Sequence, residues 1–200
     1  MSKWGIEEQE TLNAIKKIDF RGKLLNIAAG DGRFNNKLLE TADSLTAIDI
    51  SEDELELLKK ECPNNLKSKL SVKKIDITEN LPFKDETFDG VFCTETLHLF
   101  GKEQLKNILT EIQRVLKPAG KLILDFATDI KRQDDSNNLV VFPSEESYSF
   151  EEATTLLKEL LKDFELTIEN SVFTEENLDS TTTGYTYITG KFLVISGIKK

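Results

Sequence analysis

A turn of small residues follows the first short apolar segment of this chain. The run Leu24–Phe34 contains mostly apolar residues, then a turn with Ala28, Gly30 and Gly32, and then a helix-like segment. A turn without large side chains lets a ligand approach the main chain, and a helix start beyond it offers free N–H groups. This pattern is typical of a nucleotide-type cofactor site at the end of a first strand.

Carboxylates close the next two apolar segments. Asp49 stands about 20 residues after Gly30, the spacing of an acid that accepts hydrogen bonds from ribose hydroxyls. Helix capping is the alternative role for Asp49, but Ser51 already fits that position. Asp76 closes the third segment, where it could accept an adenine amino group or act only as a turn residue.

Residues that could move a proton follow the fourth apolar segment. His98 is the only histidine of the chain and the first candidate for a general base. Glu95 is the second candidate. A structural histidine and a surface acid are the alternatives. Both residues are expected beside Thr94, at the end of a strand.

Hydrophobic periodicity indicates the elements that position these residues. Strands are expected at Lys23–Ala28, Ser44–Ile50, Leu70–Ile75, Phe88–Cys93, Lys121–Ala127, Glu165–Thr174 and Lys191–Ile198. Helices are expected at Gly5–Ile18, Asp31–Ala42, from the cap Ser51 to before Pro63, Lys102–Leu116 and Glu151–Phe164. Lys117–Gly120 is expected to form a turn, and the polar stretch from Thr128 to about Ser149 is expected to be structureless.

The order of these elements predicts an α/β fold. Alternating strands and helices form a parallel sheet with helices on both faces, whereas the last two strands lack a crossover helix and must be antiparallel. We therefore expect a Rossmann-like, doubly wound, mostly parallel seven-stranded sheet with one antiparallel strand near its edge. Ligands of such sheets bind at the carboxyl ends of the strands, here between the first and the fourth. Residues 1–200 are expected to form a single domain.

Composition excludes several partners. The formal net charge of −10 and the pI near 4.8 disfavour nucleic acid and anionic membranes. No apolar run is long enough to span a membrane, and the acidic N-terminus is not a signal peptide. Cys62 and Cys93 fit no zinc pattern or disulfide framework, so we expect no metal and a cytoplasmic protein. The composition leaves the oligomeric state open.

Two cofactor classes compete for the turn. A dinucleotide site requires a third glycine, but Asn35 occupies that position. Asp31 within the turn would also repel a pyrophosphate. S-adenosylmethionine lacks phosphate and carries a positive sulfonium, so it fits better. A nucleotide-dependent oxidoreductase is the disfavoured alternative.

Several short motifs in a fixed order carry a family resemblance. They are Leu24–Gly32, Ala47–Ser51, Asp76–Phe83, Asp85–Asp89, Leu97–His98 and Arg114–Leu122. Together they span roughly residues 20–126. The chain resembles class I S-adenosylmethionine-dependent methyltransferases, in the small-molecule group (methyltransferase type 11) that includes the ubiquinone/menaquinone-type enzymes. The resemblance implies methyl transfer from S-adenosylmethionine to a small-molecule acceptor.

The resemblance also implies roles for matched residues. It places cofactor contacts at Asn26, Ala28, Gly30, Gly32, Asp49, Ile50, Asp76, Ile77 and Thr94. Asp49 would bind the ribose diol, Asp76 and Ile77 would hold adenine, and Ile50 would lie against the ring. The family usually has an acid at position 26 and glycine at position 28. These departures motivate the alternative of a catalytically inactive protein that keeps the fold and binds a partner.

The acceptor is expected to bind segments outside the shared motifs. These segments are residues 1–18 around Trp4, 128–149 and 179–190, which includes Tyr185 and Tyr187. Lys131 and Arg132 form the best local basic cluster, for which a solvated loop is the simpler interpretation.

Overall fold

Strands and helices alternate through most of the chain in the computed structural model, which describes residues 5–142, 146–177 and 180–200 and, of residues 5–8, the backbone alone. The strands are β1 Gly22–Ile27, β2 Ala42–Asp49, β3 Leu70–Lys74, β4 Phe88–Cys93, β5 Leu116–Gln133, β6 Leu139–Val140, β7 Phe164–Glu176 and β8 Tyr187–Lys199. The helices are α1 Gly5–Lys17, α2 Asn35–Thr41, α3 Glu52–Glu61, α4 Lys102–Val115, α5 Phe150–Leu160 and α6 Ser180–Thr183. Within these residues, no helix has the length and apolar character needed to cross a membrane.

The strands form one sheet in the order β3-β2-β1-β4-β5-β8-β7. Pairing is parallel from β3 to β5, and β8 runs antiparallel to both of its neighbours. The expected mostly parallel sheet with one reversed strand near its edge is therefore confirmed. The short β6, which pairs with the far end of β5, is an additional strand that the sequence pattern does not predict.

Alternate side chains of the central strands enter two separate cores. Leu25 and Ile27 belong to a buried cluster that includes residues of α4 and α5. Leu24, from the opposite face of β1, belongs to a cluster that includes residues of α1 and α2. Parallel strands buried on both faces are expected to be apolar along their length. The predicted cover of helices on both faces is thus confirmed.

Helix boundaries follow local capping in two places. The Glu54 N–H donates to the Ser51 hydroxyl oxygen at 3.3 Å, which confirms the predicted cap of α3. The Glu152 N–H makes the same contact with Ser149 at 3.2 Å. The predicted end of α5 at Phe164 is wrong, because the helix ends at Leu160 and Phe164 already begins β7.

The largest correction concerns the segment after Ala127. The sequence predicts a strand over Lys121–Ala127 and no structure from Thr128 to about Ser149, but β5 extends from Leu116 to Gln133. Its outer part pairs with β8 as far as Gln133 opposite Tyr187. The expected Lys117–Gly120 turn lies inside β5, where the register with β4 shifts. The polar residues of this outer part do not indicate a strand, because its partner β8 is distant in sequence.

A bulge lies within the outer part of β5. Thr128 pairs with Lys191 and Lys131 with Thr189, so β5 has one more residue than β8 between these pairs. Asp129 adopts a left-handed φ of 52° there. Because side chains alternate along a strand, one extra residue places Ile130 and Arg132 on the same face as Ala127.

The backbone of the bulge can be tested at Asp129, whose carboxylate also pairs with Lys191 at 3.0 Å. We compare Asp129→Val with Asp129→Gly, since both remove the carboxylate. The left-handed conformation penalises a β-branched residue but not glycine, so the valine variant should be less stable by about 1 kcal/mol. Urea denaturation measures the difference. Equal stabilities would contradict a strained left-handed position.

Candidate functional site

A cleft of about 690 Å³ lies at the carboxyl ends of β1, β2 and β4. The sheet order places β1 between β2 and β4, so the turns that follow these strands emerge side by side. Most of the residues that the sequence suggests as cofactor contacts or proton acceptors line this cleft: Asn26, Ala28, Gly30, Asp49, Ile50, Thr94 and Glu95. Gly32, Asp76, Ile77 and His98 lie outside its lining.

The turn after β1 is held in left-handed conformations. Ala28, Gly30 and Gly32 have φ values of 52°, 49° and 77°. Around Gly30, apart from its two chain neighbours, no atom of the described residues lies within 4 Å of an added Cβ, so the backbone there is open to a ligand. At Gly32 an added Cβ would lie 2.7 Å from both the Asn35 side-chain nitrogen and Leu58. The lack of a side chain at Gly32 therefore allows the turn to pack against α3.

The helix after this turn begins later than the sequence predicts. Helical periodicity suggests Asp31–Ala42, whereas α2 extends only from Asn35 to Thr41. The Gly32 N–H donates to the Ala29 carbonyl and the Asn35 N–H to the Gly32 carbonyl, so two consecutive turns precede the helix. Left-handed glycines cannot continue a right-handed helix, which explains the delayed start.

Asp49 connects the turn to the end of β2. Its Oδ2 accepts a hydrogen bond from the Gly30 N–H at 2.9 Å, and its Oδ1 accepts one from the Ser51 N–H at 2.9 Å. A carboxylate has about four acceptor sites, so these contacts leave capacity for two ligand hydroxyls. Ile50 follows at the rim of the cleft with 61% of its surface exposed.

Asn26 lies beneath the turn in a buried amide pair. Its Nδ2 donates to the Asn35 Oδ1 at 2.7 Å, and both residues are 3% exposed. The amide nitrogen of Asn35, Nδ2, is also buried and has no hydrogen-bond partner among the described residues. The base of the cleft is therefore neutral at the position where the resembled family usually has an acid.

Asp76 and Ile77, which follow β3, are not among the residues that line the cleft. Asp76 is exposed, and its Oδ1 accepts hydrogen bonds from the Thr78 hydroxyl at 2.7 Å and the Thr78 N–H at 2.9 Å. These contacts lower the pKa of the Asp76 carboxyl. Ile77 is 8% exposed and belongs to the core on the α4 side of the sheet. The contacts of Asp76 with Thr78 are those of a turn residue, the alternative role that the sequence suggests for Asp76.

Charged residues of α4 hold the following segment in place. Arg114 donates to the carbonyls of Leu81 at 2.9 Å and Phe83 at 2.7 Å, and the Leu81 N–H donates to Glu111 at 2.8 Å. The Arg114 side chain, together with the Leu81 N–H, lowers the pKa of the Glu111 carboxyl. Two motifs of the sequence thus contact each other directly.

The loop after β4 is strained where it enters the cleft. Glu95 has a φ of 56°, and its N–H donates at 2.6 Å to the fully buried Asp125 carboxylate. Its Oε1 accepts from the Arg33 guanidinium at 2.6 Å. The ion pair joins the turn after β1 to the loop after β4 across the cleft. Backbone strain of this kind persists only where surrounding contacts hold it, and it concentrates at functional sites.

A second cavity of about 210 Å³ adjoins the cleft. Its lining residues are Glu95, His98, Leu99, Ala127, Ile130, Arg132, Phe173, Tyr185, Ile188 and Phe192. Glu95 and Leu99 line both spaces. His98 contacts Phe126 edge-to-face with 6.1 Å between ring centroids, and Phe126 in turn contacts Tyr148. The Tyr148 hydroxyl donates to the Phe100 carbonyl at 2.7 Å, which anchors the loop that contains His98.

The second cavity includes residues from the segments expected to bind the acceptor. Ile130 and Arg132 come from segment 128–149, and Tyr185 and Ile188 from segment 179–190. Trp4, and residues 143–145 and 179 of these segments, lie outside the described residues.

Sequence reasoning missed several lining residues. Arg33 and Leu99 follow β1 and β4, two strands that the sequence predicts. Their position in the chain could therefore have indicated that they line the cleft. Phe173 has no such signal, since it depends on the pairing of β7 with β8. Arg132 lines the cavity half-buried, and the solvated-loop interpretation of it is wrong.

A family model described as a methyltransferase domain matches residues 25–124, half of the chain. The chain belongs to this methyltransferase-domain family. The match confirms the resemblance drawn from the motifs. An uncharacterized methyltransferase-like protein of Schizosaccharomyces pombe is 33% identical over 116 residues, which cover 56% of this chain and 40% of that protein. The chain thus spans less than half the length of this curated relative.

Solved structures share the fold over nearly the whole chain. A protein of Bacillus halodurans superposes with a TM-score of 0.74 at 17% identity, covering 96% of this chain and 99% of that one. An S-adenosylmethionine-dependent methyltransferase of Mesorhizobium loti superposes with a TM-score of 0.64 at 14% identity, covering 98% and 99%. At these identities the comparisons confirm the fold class of this methyltransferase-domain chain.

The two glycines of the turn should respond differently to alanine. Gly30→Ala and Gly32→Ala both place a Cβ at positive φ, so the backbone cost is shared. Only Gly32→Ala forces the added Cβ against Asn35 and Leu58. We expect Gly32→Ala to be less stable than Gly30→Ala by about 1–3 kcal/mol. Thermal and urea denaturation measure this, and an equal loss would show that the turn relaxes freely.

Glu111 should make the free energy of unfolding depend on pH. Its folded pKa is lowered, so its contribution is present above the unfolded value and is lost as pH falls through the folded pKa. Glu111→Gln should therefore lose less stability than the wild type between about pH 6 and about pH 3. Urea denaturation over this range measures the slope. Glu103→Gln, an exposed position on the same helix, is the control and should follow the wild type.

Proposed function

We propose that this chain transfers a methyl group from S-adenosylmethionine to a small-molecule acceptor. One observation carries the proposal: an open glycine turn and the Asp49 carboxylate meet in one cleft of a methyltransferase-domain fold. The volume of the cleft lies within the roughly 300–1,000 Å³ of small-molecule sites. Its position between β1 and β4 is the expected one for a ligand of a doubly wound sheet.

The residues of the cleft fit the parts of the cofactor. Asp49 has acceptor capacity for the ribose diol, and the exposed Ile50 offers an apolar surface to adenine. Gly30 leaves its backbone open, so Gly30 and Thr94 would line the methionine portion with Ala28 and Asn26. Asp76 and Ile77 keep an adenine role through the family resemblance alone, and Gly32 supports the turn from behind.

Chemistry at the site consists mainly of positioning. When bound, S-adenosylmethionine supplies an electrophilic methyl group on a sulfonium that departs as a neutral thioether. The chain holds the acceptor in line, which contributes about 7–11 kcal/mol in well-oriented reactions. Glu95 is held by Arg33, so we assign it a positioning role. His98 faces the second cavity and is the candidate that accepts a proton where the acceptor must lose one.

Cofactor binding tests the proposal directly. Calorimetry of the full chain with S-adenosylhomocysteine should show saturable binding, and Asp49→Ala should weaken it at least tenfold because the ribose acceptor is lost. Asp43→Ala removes an exposed acid from the same strand and should leave the affinity unchanged.

Two outcomes would contradict the proposal. Absence of binding at millimolar S-adenosylhomocysteine would favour the inactive, partner-binding alternative, which the neutral Asn26 pair and the strained Ala28 motivate. Saturable binding of NADH in its place would revive the oxidoreductase alternative. Equal affinities of Asp49→Ala and the wild type would overturn the ribose assignment.

A further inference from the structure

We propose that the second cavity binds the methyl acceptor and selects a neutral, compact apolar molecule of the size of one substituted ring. This inference rests on the proposed function, since an acceptor site has meaning only beside a bound methyl donor. It concerns the cavity between the loop after β4 and the outer parts of β5, β7 and β8.

The cavity adjoins the cleft in which the methyl donor is proposed to bind. Glu95 and Leu99 line both spaces, so a molecule in the cavity lies next to a molecule in the cleft. The Glu95 N–H donates to the Asp125 carboxylate at 2.6 Å, and its Oε1 accepts from the Arg33 guanidinium at 2.6 Å. These contacts fix the border between the two spaces, as in-line transfer between two bound molecules requires.

The inner wall of the cavity consists of apolar side chains from three strands. They are Ala127, Ile130, Phe173, Ile188 and Phe192. Phe173 and Phe192 are each 3% exposed and Ile188 is 6% exposed, so packing holds them in place. A wall of this kind attracts a ligand mainly by removing apolar surface from water.

A glycine on β8 allows one of these rings to pack against the sheet. Gly190 pairs with Phe173 across β7 and β8, and an added Cβ at Gly190 would lie 2.8 Å from Phe173 Cζ. It would also lie 2.9 Å from the Thr128 carbonyl oxygen. The absence of a side chain at Gly190 therefore leaves the space that the Phe173 ring occupies, and this ring forms a fixed part of the wall.

The volume of the cavity limits the size of the acceptor. It is about 210 Å³, whereas sites for drug-sized ligands begin at roughly 300 Å³. An apolar cavity of about 150 Å³ holds benzene, which corresponds to about 25 Å³ for each carbon atom. At that density the cavity holds about eight heavy atoms, which is one ring with one or two small substituents.

The charged residues of the lining favour a neutral molecule. Glu95 and Arg132 have opposite formal charges, and both contact other parts of the chain. Glu95 pairs with Arg33 at 2.6 Å. The guanidinium carbon of Arg132 lies 5.2 Å from the centre of the Phe142 ring and 5.4 Å from that of Tyr185. An ion in the cavity would lose hydration without a net opposite charge in the lining, whereas a neutral molecule avoids this cost.

Three probes that differ in charge and size test this selection. Benzyl alcohol is neutral with one ring, benzoate has the same ring with a charge, and 4-biphenylmethanol is neutral with two rings. We record the NMR resonance of His98, the only histidine of the chain and a lining residue, as each probe is added to the full chain. The titrations are run with and without S-adenosylhomocysteine.

The neutral single ring should bind best. Benzyl alcohol should shift the His98 resonance saturably, and it should do so equally when S-adenosylhomocysteine occupies the cleft. Benzoate should bind about tenfold more weakly or worse because its charge is desolvated. A similar loss is expected for 4-biphenylmethanol, because its second ring exceeds the volume of the cavity.

Two variants change the size of the cavity in opposite directions. Ala127→Leu enlarges a wall residue and should weaken the binding of benzyl alcohol about tenfold. Ile130→Ala enlarges the cavity and should raise the affinity for 4-biphenylmethanol relative to benzyl alcohol by about fivefold or more. Lys131→Leu is the control, since Lys131 adjoins both positions in sequence but is not a lining residue, and it should change none of these affinities. Thermal denaturation shows whether each variant is folded.

Four results would overturn the inference. They are no saturable shift of His98 with benzyl alcohol, an equal affinity for benzoate or 4-biphenylmethanol, competition between benzyl alcohol and S-adenosylhomocysteine, and unchanged affinities in folded Ala127→Leu and Ile130→Ala. If Ala127→Leu fails to fold, Ile130→Ala alone decides the last point. Absence of S-adenosylhomocysteine binding contradicts the proposed function instead. The titrations without it still measure the selectivity of the cavity, so the two failures are distinguishable.

Discussion

Parallel pairing of β1 with both β2 and β4 is the constraint on which the site depends. Because the three strands run in the same direction, the turns that follow them emerge at one edge of the sheet. The glycine turn, Asp49 and the Thr94–Glu95 segment come from separate parts of the sequence, yet they line the same cleft. Apolar side chains of β1 are buried on both faces of the sheet, and this packing keeps the strand ends fixed relative to one another.

Strain at the strand ends is balanced by contacts that cross the cleft. Ala28 and Glu95 are residues other than glycine at positive φ, and they stand at the ends of adjacent strands. A left-handed conformation costs such residues about 1–2 kcal/mol each. The buried Asp125 carboxylate and the Arg33 guanidinium fix Glu95 at two atoms, which offsets this cost. The same contacts set the border between the two spaces of the site.

Signals that are local in sequence allowed most of the fold to be predicted, whereas signals that depend on pairing did not. The cap at Ser51 and the strand Phe88–Cys93 follow from neighbouring residues, and the structure agrees with both. The missing crossover helix also predicted the reversed strand. The outer half of β5 contains polar residues that resemble a loop, and its pairing with β8 and β6 makes it a strand. The late start of α2 depends on left-handed turns that composition does not reveal.

The residues of the candidate site show the same difference between local signals and signals that depend on strand pairing. Residues of the cofactor cleft lie at the ends of strands that periodicity identifies, so Asp49 and Gly30 could be predicted. Arg132 and Phe173 reach the second cavity through a bulge and an antiparallel pairing, neither of which has a local signature. Asp76 and Ile77 belong to a matched motif but are not among the residues that line the cleft, and Arg114 and Glu111 of α4 hold Leu81 of the same motif.

The end of the family match coincides with a change in the pairing of β5. The methyltransferase-domain match ends at residue 124, and Leu124 is also the last residue of β5 that pairs with β4, opposite Cys93. Up to that point β5 belongs to the parallel part of the sheet, whose strands β1, β2 and β4 end at the cleft. Beyond it, β5 pairs with β8 and β6, and this part contributes Ala127, Ile130 and Arg132 to the second cavity. The cleft and the second cavity therefore depend on different pairings of β5, with β4 up to Leu124 and with β8 beyond it.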